Sequence, residues 1–268
     1  VQKAFLFASS TVLSLLNTHR GDMVSMVGET FVPEPALRQC RVRMLSSEEG
    51  SDVLRTKPRV LDATRAHFAT QRTAPSNAAD TATASLTLTA EMELEWLRSL
   101  YALPVTTFGH RYAEYMLDHG YTPSGRSAVR FVDDPELAYV MQRYREVHDF
   151  LHVLTAIPPS VQGELALKAL EFFQTGLPSA AASVAVAGAL RLPLAGKADL
   201  LTNVLPWARR VSDSIDGATN GAGVLSVRYE DWFNDDIALL RGVMGITEPY
   251  VESPAVSAAA VAVASPKP

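Results

Sequence analysis

An all-α fold in a single domain is predicted for this chain of 268 residues on three observations. Apolar residues recur at helical spacing along most of the sequence. Proline, glycine and capping residues punctuate these stretches where helices start and stop. Alternation of apolar and polar residues, the pattern of a strand, is scarce, with Ala222 to Tyr229 the one candidate. The length allows one large domain or two small ones, and an apolar fraction of 47% supports a sizeable core.

Val1 to Leu16 carries Phe5, Leu6, Val12, Leu13, Leu15 and Leu16 with one charge, Lys3, and reads as a core helix in preference to an interfacial one, since one Lys is few for a face against anionic lipid. Arg20 to Asp22 breaks the pattern. Pro33 and Pro35 bracket a helix start, and Ala36, Leu37, Val42, Met44 and Leu45 follow. Gly50 reads as that helix's stop, with Ser51 or Asp52 capping a short successor that Pro58 ends. Ala63 to Thr89 is rich in Ala and Thr, lacks periodicity, and reads as a mobile insertion. Helix resumes near Ala90 and ends before Pro104; another spans Thr107 to Gly120.

Asp134, Pro135 and Glu136 are an N-cap, a proline at the first helical position and an acid in the first turn. The helix they open runs to about Ala156, where Pro158 and Pro159 stop it. Ser160 caps a following helix, Val161 to Thr175, and Gly176 with Pro178 ends that one. The domain extends over residues 1–248. The Ala/Val/Ser/Pro-rich tail, 249–268, reads as disordered.

The balance of 24 Lys+Arg against 29 Asp+Glu argues against a nucleic-acid partner, which needs clustered positive charge. A single cysteine, Cys40, can build neither an intramolecular disulfide framework nor a Cys-rich zinc site, and reads as a packed residue. The longest apolar-looking run, Ala180 to Leu190, is too short to span a bilayer, which takes about 20 residues. The chain begins at Val1, as a fragment or processed form would.

The chemistry concentrates in the helix pair around the double proline. His148, Asp149 and His152 form HDxxH. The two histidines lie one turn apart and about 40° apart around the axis, and Asp149 lies about 60° from His152 on the other side. Glu164, eleven residues after the motif, lies near the start of the next helix and can meet the pair across the turn. Two imidazoles and carboxylates suit a divalent metal such as zinc. Arg143, Arg145 and Glu146, just before the motif, read either as local ion pairs or as groups that orient the ligands.

The segment HDFLHVLTAIPPSVQGE, with VRFVDDPELAYVMQRYREVHD before it, resembles the ubiquinone (coenzyme Q) biosynthesis family that is fourth in the COQ series. GELALKALEF, GLP at Gly176 to Pro178, LPWA at Leu205 to Ala208 and YEDW at Tyr229 to Trp232 carry it downstream. QKA at Gln2, RGDMV at Arg20, GET at Gly28 and TFGHRYAEYM at Thr107 carry it upstream. The Ala63 to Thr89 segment is longer than that family's pattern, and the tail past Glu248 is unlike it.

The resemblance implies an all-helical fold with a hydrophobic groove for a prenyl lipid. It implies a metal, usually zinc, on the motif HDxxH-x11-E, matched here by His148, Asp149, His152 and Glu164. It implies removal of the C1 carboxyl from a polyprenylated 4-hydroxybenzoate, with or without C1 hydroxylation. It further implies a complex with other ubiquinone-biosynthesis enzymes and a peripheral place on the matrix side of the mitochondrial inner membrane. Candidates for the groove are Phe172, Phe173, Leu177 and Ala180 to Leu190.

Zinc has no redox chemistry and suits plain decarboxylation, whereas two His and one carboxylate also suit Fe2+ in oxygen chemistry; both, and another divalent metal, stay open. Glu146 is a candidate proton donor. The alternatives are a non-catalytic lipid-binding scaffold with a structural metal, and a metallopeptidase. Asp is one methylene shorter than the general-base Glu of HExxH, which counts against the latter.

Overall fold

The structure is a computed structural model that describes residues 33–71, 87–125 and 128–252. The helix expected over Val1 to Leu16 and the tail from residue 253 lie outside the described residues. Among the described residues eleven α-helices follow one another: α1 Glu34–Met44, α2 Glu48–Thr56, α3 Val60–Gln71, α4 Ala90–Tyr101, α5 Phe108–Asp118, α6 Pro135–Thr155, α7 Val161–Thr175, α8 Pro178–Arg191, α9 Leu194–Asp199, α10 Leu205–Ala218 and α11 Ile237–Val243. A π-helical turn, Leu200–Val204, joins α9 to α10. Among the described residues there is no strand, only an isolated bridge between Thr107 and Asp236.

Most helix ends follow from local hydrogen bonding. Thr89, Thr107, Asp134 and Ser160 accept from the first free amides of α4, α5, α6 and α7, the donors that a helix cannot satisfy itself. Gly176 ends α7 in the left-handed conformation, as predicted.

Three expectations change. Gly50 does not stop a helix: α1 ends at Met44, Ser47 caps α2, and Gly50 lies buried inside α2. A Cβ there would sit 2.2 Å from the Met44 carbonyl oxygen, so the glycine permits α2 to fold onto the end of α1. The insertion expected from Ala63 is helical to Gln71 as part of α3, with Thr64 and Phe68 buried, and residues 72–86 lie outside the described residues. The strand candidate Ala222 to Tyr229 forms two short 3₁₀ turns instead, Val224–Ser226 and Tyr229–Trp232. These turns pack under α6 and bury Val224, Leu225, Val227 and Tyr229, so their apolar pattern reflects burial and not pleating.

α6 is the axis of the domain and is buried on nearly every side. An aromatic cluster holds it from one side: Phe150 meets Phe108, Tyr112, Tyr229 and Phe233, and Phe108 stacks on Phe233 with ring centroids 5.6 Å apart. α7 packs between α8 and α10. The tail expected from Pro249 is anchored at its start. Tyr250 is buried against Trp207, and its amide donates to the Thr155 carbonyl oxygen at 2.7 Å. No described helix is long and apolar enough to cross a membrane.

Cys40 is buried in α1, 3.2 Å from the Thr175 carbonyl oxygen, and burial pushes its thiol up to about 11. The native protein is expected to resist a thiol reagent at pH 8. It should label fully in denaturant, where the thiol returns to its ordinary range. A colorimetric thiol titration with and without guanidinium checks this; rapid native labelling would contradict the packing of α1 on α7.

Candidate metal centre

α6 ends at Ala156, whose φ of 57° is left-handed, and the Ile157 amide returns to the His152 carbonyl oxygen at 3.0 Å. Pro158 and Pro159 then prevent the helix from continuing. α7 begins pressed against this turn, so closely that a Cβ on Gly163 would lie 2.0 Å from the Pro158 carbonyl oxygen. That close start carries Glu164 to the histidine pair.

His148, His152 and Glu164 each offer a ligand atom, all within 4.8 Å of one another. His152 Nε2 is 3.1 Å from Glu164 Oε1, and His148 Nε2 is 3.7 Å from Glu164 Oε2. The two rings meet edge to face with centroids 4.8 Å apart. Asp149, one step round the helix, is half-buried and stands outside this group.

The other nitrogen of each imidazole is already engaged. His152 Nδ1 lies 3.0 Å from the Ile157 carbonyl oxygen, which can only accept, so Nδ1 carries the proton. His148 Nδ1 donates to Glu171 Oε1 at 2.7 Å. Glu171 Oε2 in turn accepts from Lys168 Nζ at 2.6 Å and from the Tyr144 hydroxyl at 2.7 Å. Glu171, Lys168 and Tyr144 are the groups that orient the ligands, and sequence reasoning missed them. A signal was present: Glu164, Lys168 and Glu171 share one face of α7 at i, i+4 and i+7, opposite Tyr144, His148 and His152 on α6.

The residues that precede the motif take other parts. Arg143 makes a buried pair with Glu230, at 2.5 and 3.1 Å, and donates to the Val227 carbonyl oxygen. Glu146 lies on the opposite side of α6 from His148, as a separation of two residues requires, and accepts from Arg59 and Gln142. It is removed as a proton donor at this site.

The electrostatics suit a cation. Burial holds His148 below the ordinary imidazole range, so it is neutral at pH 7. Burial alone would raise Glu164, but its contacts with His152 and His148 and the nearby Lys168 ammonium outweigh that and hold it near 2. Against its own burial, Glu171 is kept ionised by Lys168 and His148.

With Nδ1 protonated on both rings, each neutral Nε2 presents a lone pair to a carboxylate. Three acceptors that face one another repel unless a cation joins them. Zinc bonds of about 2.0–2.2 Å at tetrahedral angles set ligand atoms roughly 3.3–3.5 Å apart. The separations of 3.1 and 3.7 Å straddle that spacing, so the donor set fits a divalent metal.

Glu171→Gln is expected to keep the fold and to weaken metal affinity about 10- to 100-fold, since it removes the charge that holds His148. Competition with a fluorescent chelator measures it; an unchanged affinity would remove Glu171 from this role.

Comparison with known proteins gives the chain relatives over most of its length. The family model described as coenzyme Q (ubiquinone) biosynthesis protein Coq4 matches residues 1–85 and 82–250. The chain is similar to a mitochondrial ubiquinone biosynthesis protein COQ4 homolog 1 from Culex quinquefasciatus, 36% identical over 248 residues, covering 92% of this chain and 76% of that protein. A mitochondrial COQ4 homolog from Bos taurus is 33% identical over 249 residues, covering 93% of this chain and 80% of its own. A solved structure from Nostoc punctiforme PCC 73102, with a provisional ubiquinone-biosynthesis name, shares the fold at a TM-score of 0.62 and 17% identity, covering 92% of this chain and 97% of that one.

Proposed function

Because this chain belongs to the Coq4 family of ubiquinone biosynthesis proteins, we propose that it is a metal-dependent enzyme of that biosynthesis which removes the C1 carboxyl of a polyprenylated 4-hydroxybenzoate. One observation carries the metal and its place: two buried imidazoles, each with Nδ1 already bound, aim Nε2 at a shared carboxylate. His148, His152 and Glu164 would supply three protein ligands to such a metal, and a zinc site with three keeps a position for water or substrate.

Bound there, a divalent cation supplies a Lewis acid that holds the substrate's carboxylate or phenolate and orients the ring. The chain's residues do the rest. Ile157 and Glu171 fix both imidazoles by their Nδ1 atoms. Glu164 stays ionised and acts as a ligand, not a proton donor. Its side chain is 40% exposed while both imidazoles are buried, so the cluster opens on the Glu164 side. Substrate enters there, and solvent water at that opening gives C1 the proton that replaces CO2.

The relatives' mitochondrial names support a place in that organelle; within it we propose the matrix face of the inner membrane, beside other quinone-biosynthesis enzymes, as the family resemblance implies. The prenyl tail needs an apolar path beside the site. Of the groove candidates, Leu177 is fully buried and Phe173 packs under Arg209, which leaves the half-buried Phe172 and the outward face of α8 for that part.

A mass-spectrometric assay with a short-tailed 3-prenyl-4-hydroxybenzoate, defined metal and defined oxygen tests the reading. Decarboxylated product is expected from the metal-loaded protein. An oxygen atom added at C1 would identify Fe2+ or another redox metal over zinc. No turnover by folded, metal-loaded protein with its membrane and partner enzymes present would favour the scaffold reading.

A further inference from the structure

A row of aromatic rings leads outward from the metal cluster, and none of them supplies one of its three ligands. Tyr115, on α5, stacks on the His152 imidazole with centroids 5.1 Å apart and planes 22° apart. The rings continue outward from it. His119 lies 5.0 Å from Tyr115, Tyr121 lies 6.0 Å from Tyr115, and Tyr121 stacks on His119 at 5.6 Å and 23°.

The backbone builds this row. Gly120 turns the chain at a φ of 65°, and the Tyr121 amide bonds back to the Met116 carbonyl oxygen at 2.8 Å. Tyr121 is thereby folded over the end of α5. His119 Nδ1 donates to the Tyr115 carbonyl oxygen at 2.7 Å, which pins that imidazole. Tyr121 is 45% exposed and His119 is exposed, so the row runs unbroken from a buried ligand to solvent.

We propose that Tyr115, His119 and Tyr121 form a stacking shelf that seats the aromatic ring of the substrate beside the metal cluster. The inference rests on the functional reading above and deepens it by assigning ring recognition to named side chains. Aromatic faces prefer other aromatic faces in offset stacks, and the preference adds to simple apolar burial. A hydroxybenzoate held by its carboxylate or phenolate at the cluster still rotates about that contact; a shelf along one side removes that freedom and sets the ring plane. Tyr115 acts as a positioning residue, since it touches the ligand His152, whereas Tyr121 and His119 offer the exposed faces.

The test is calorimetric binding to the zinc-loaded protein with two probes: a short-tailed 3-prenyl-4-hydroxybenzoate and its ring-saturated cyclohexane analogue. Tyr121→Leu and His119→Leu are expected to weaken the aromatic probe about 3- to 10-fold and to leave the saturated probe and the metal content unchanged. Tyr121→Phe is expected to restore the wild-type value. Equal loss for both probes, or no loss for either, overturns the shelf while the functional reading stands. No binding of the aromatic probe by zinc-loaded wild type overturns both.

Discussion

His152→Ala is expected to leave the protein folded and nearly free of metal. The substitution removes one of three protein ligands and the ring on which Tyr115 stacks. A zinc site is worth roughly 10–16 kcal/mol, so one of three ligands accounts for about 3–5 kcal/mol, or about 10²- to 10⁴-fold in affinity. Metal analysis after gel filtration, with competition by a chelator, measures the loss. Product from the hydroxybenzoate assay is expected to fall with the metal. Asp149→Asn is the informative contrast, because Asp149 stands outside the group of three. That variant is expected to hold metal within a few-fold of wild type; a loss equal to that of His152→Ala would make Asp149 a ligand.

The same site has a predictable acid limit. Metal ligands must be deprotonated to bind. Glu164, held near 2, does not gain a proton in the physiological range, so the proton competition that can be placed is at His148. His148 has a depressed pKa, so protons compete with the metal there only at pH values below the ordinary 6.5. Metal content is expected to be flat from pH 8 to 6.5 and to fall as the pH drops below that range.

The largest stability effect is expected at Arg143→Met, away from the metal cluster. Arg143 is fully buried in α6, and its partner Glu230 is 8% exposed. Methionine fills much of the space but leaves Glu230 and the Val227 carbonyl without their donor. Removal of one member of a buried pair costs about 3–5 kcal/mol. For a domain of this size that corresponds to a fall of roughly 6–20 °C in Tm. The double variant Arg143→Met with Glu230→Leu is expected to recover most of the loss, because no charge is then stranded. Calorimetry of the single and double variants decides it; equal destabilisation by both would mean that shape and not charge holds this junction.

Several features are legible in the amino-acid sequence itself. Asp134, Pro135 and Glu136 mark the start of α6, Ser160 the start of α7 and Gly176 its end, because each satisfies or ends a helix within four residues of itself. The spacing of His148 and His152 places both rings on one face, and the double proline implies that α7 turns back with Glu164. Gly50 misleads for an equally local reason. A glycine after an apolar run resembles a helix stop, and only the approach of α2 to the Met44 carbonyl reveals that it is a packing contact.

The sequence by itself determined the helical class, the ends of α4 to α7, the family resemblance and the pairing of two histidines with Glu164. Tertiary structure alone decided which neighbours complete the site. By angle Asp149 shares the sector of His152, yet α7 approaches along the seam of Tyr144, His148 and His152 and meets it with Glu164, Lys168 and Glu171. The aromatic row from Tyr115 to Tyr121 depends likewise on how α5 crosses α6. Caps and helical periodicity are interactions over three or four residues, which spacing encodes directly. The partners of a buried ligand come from another helix, and its crossing, not the spacing along either chain segment, determines which side chains meet.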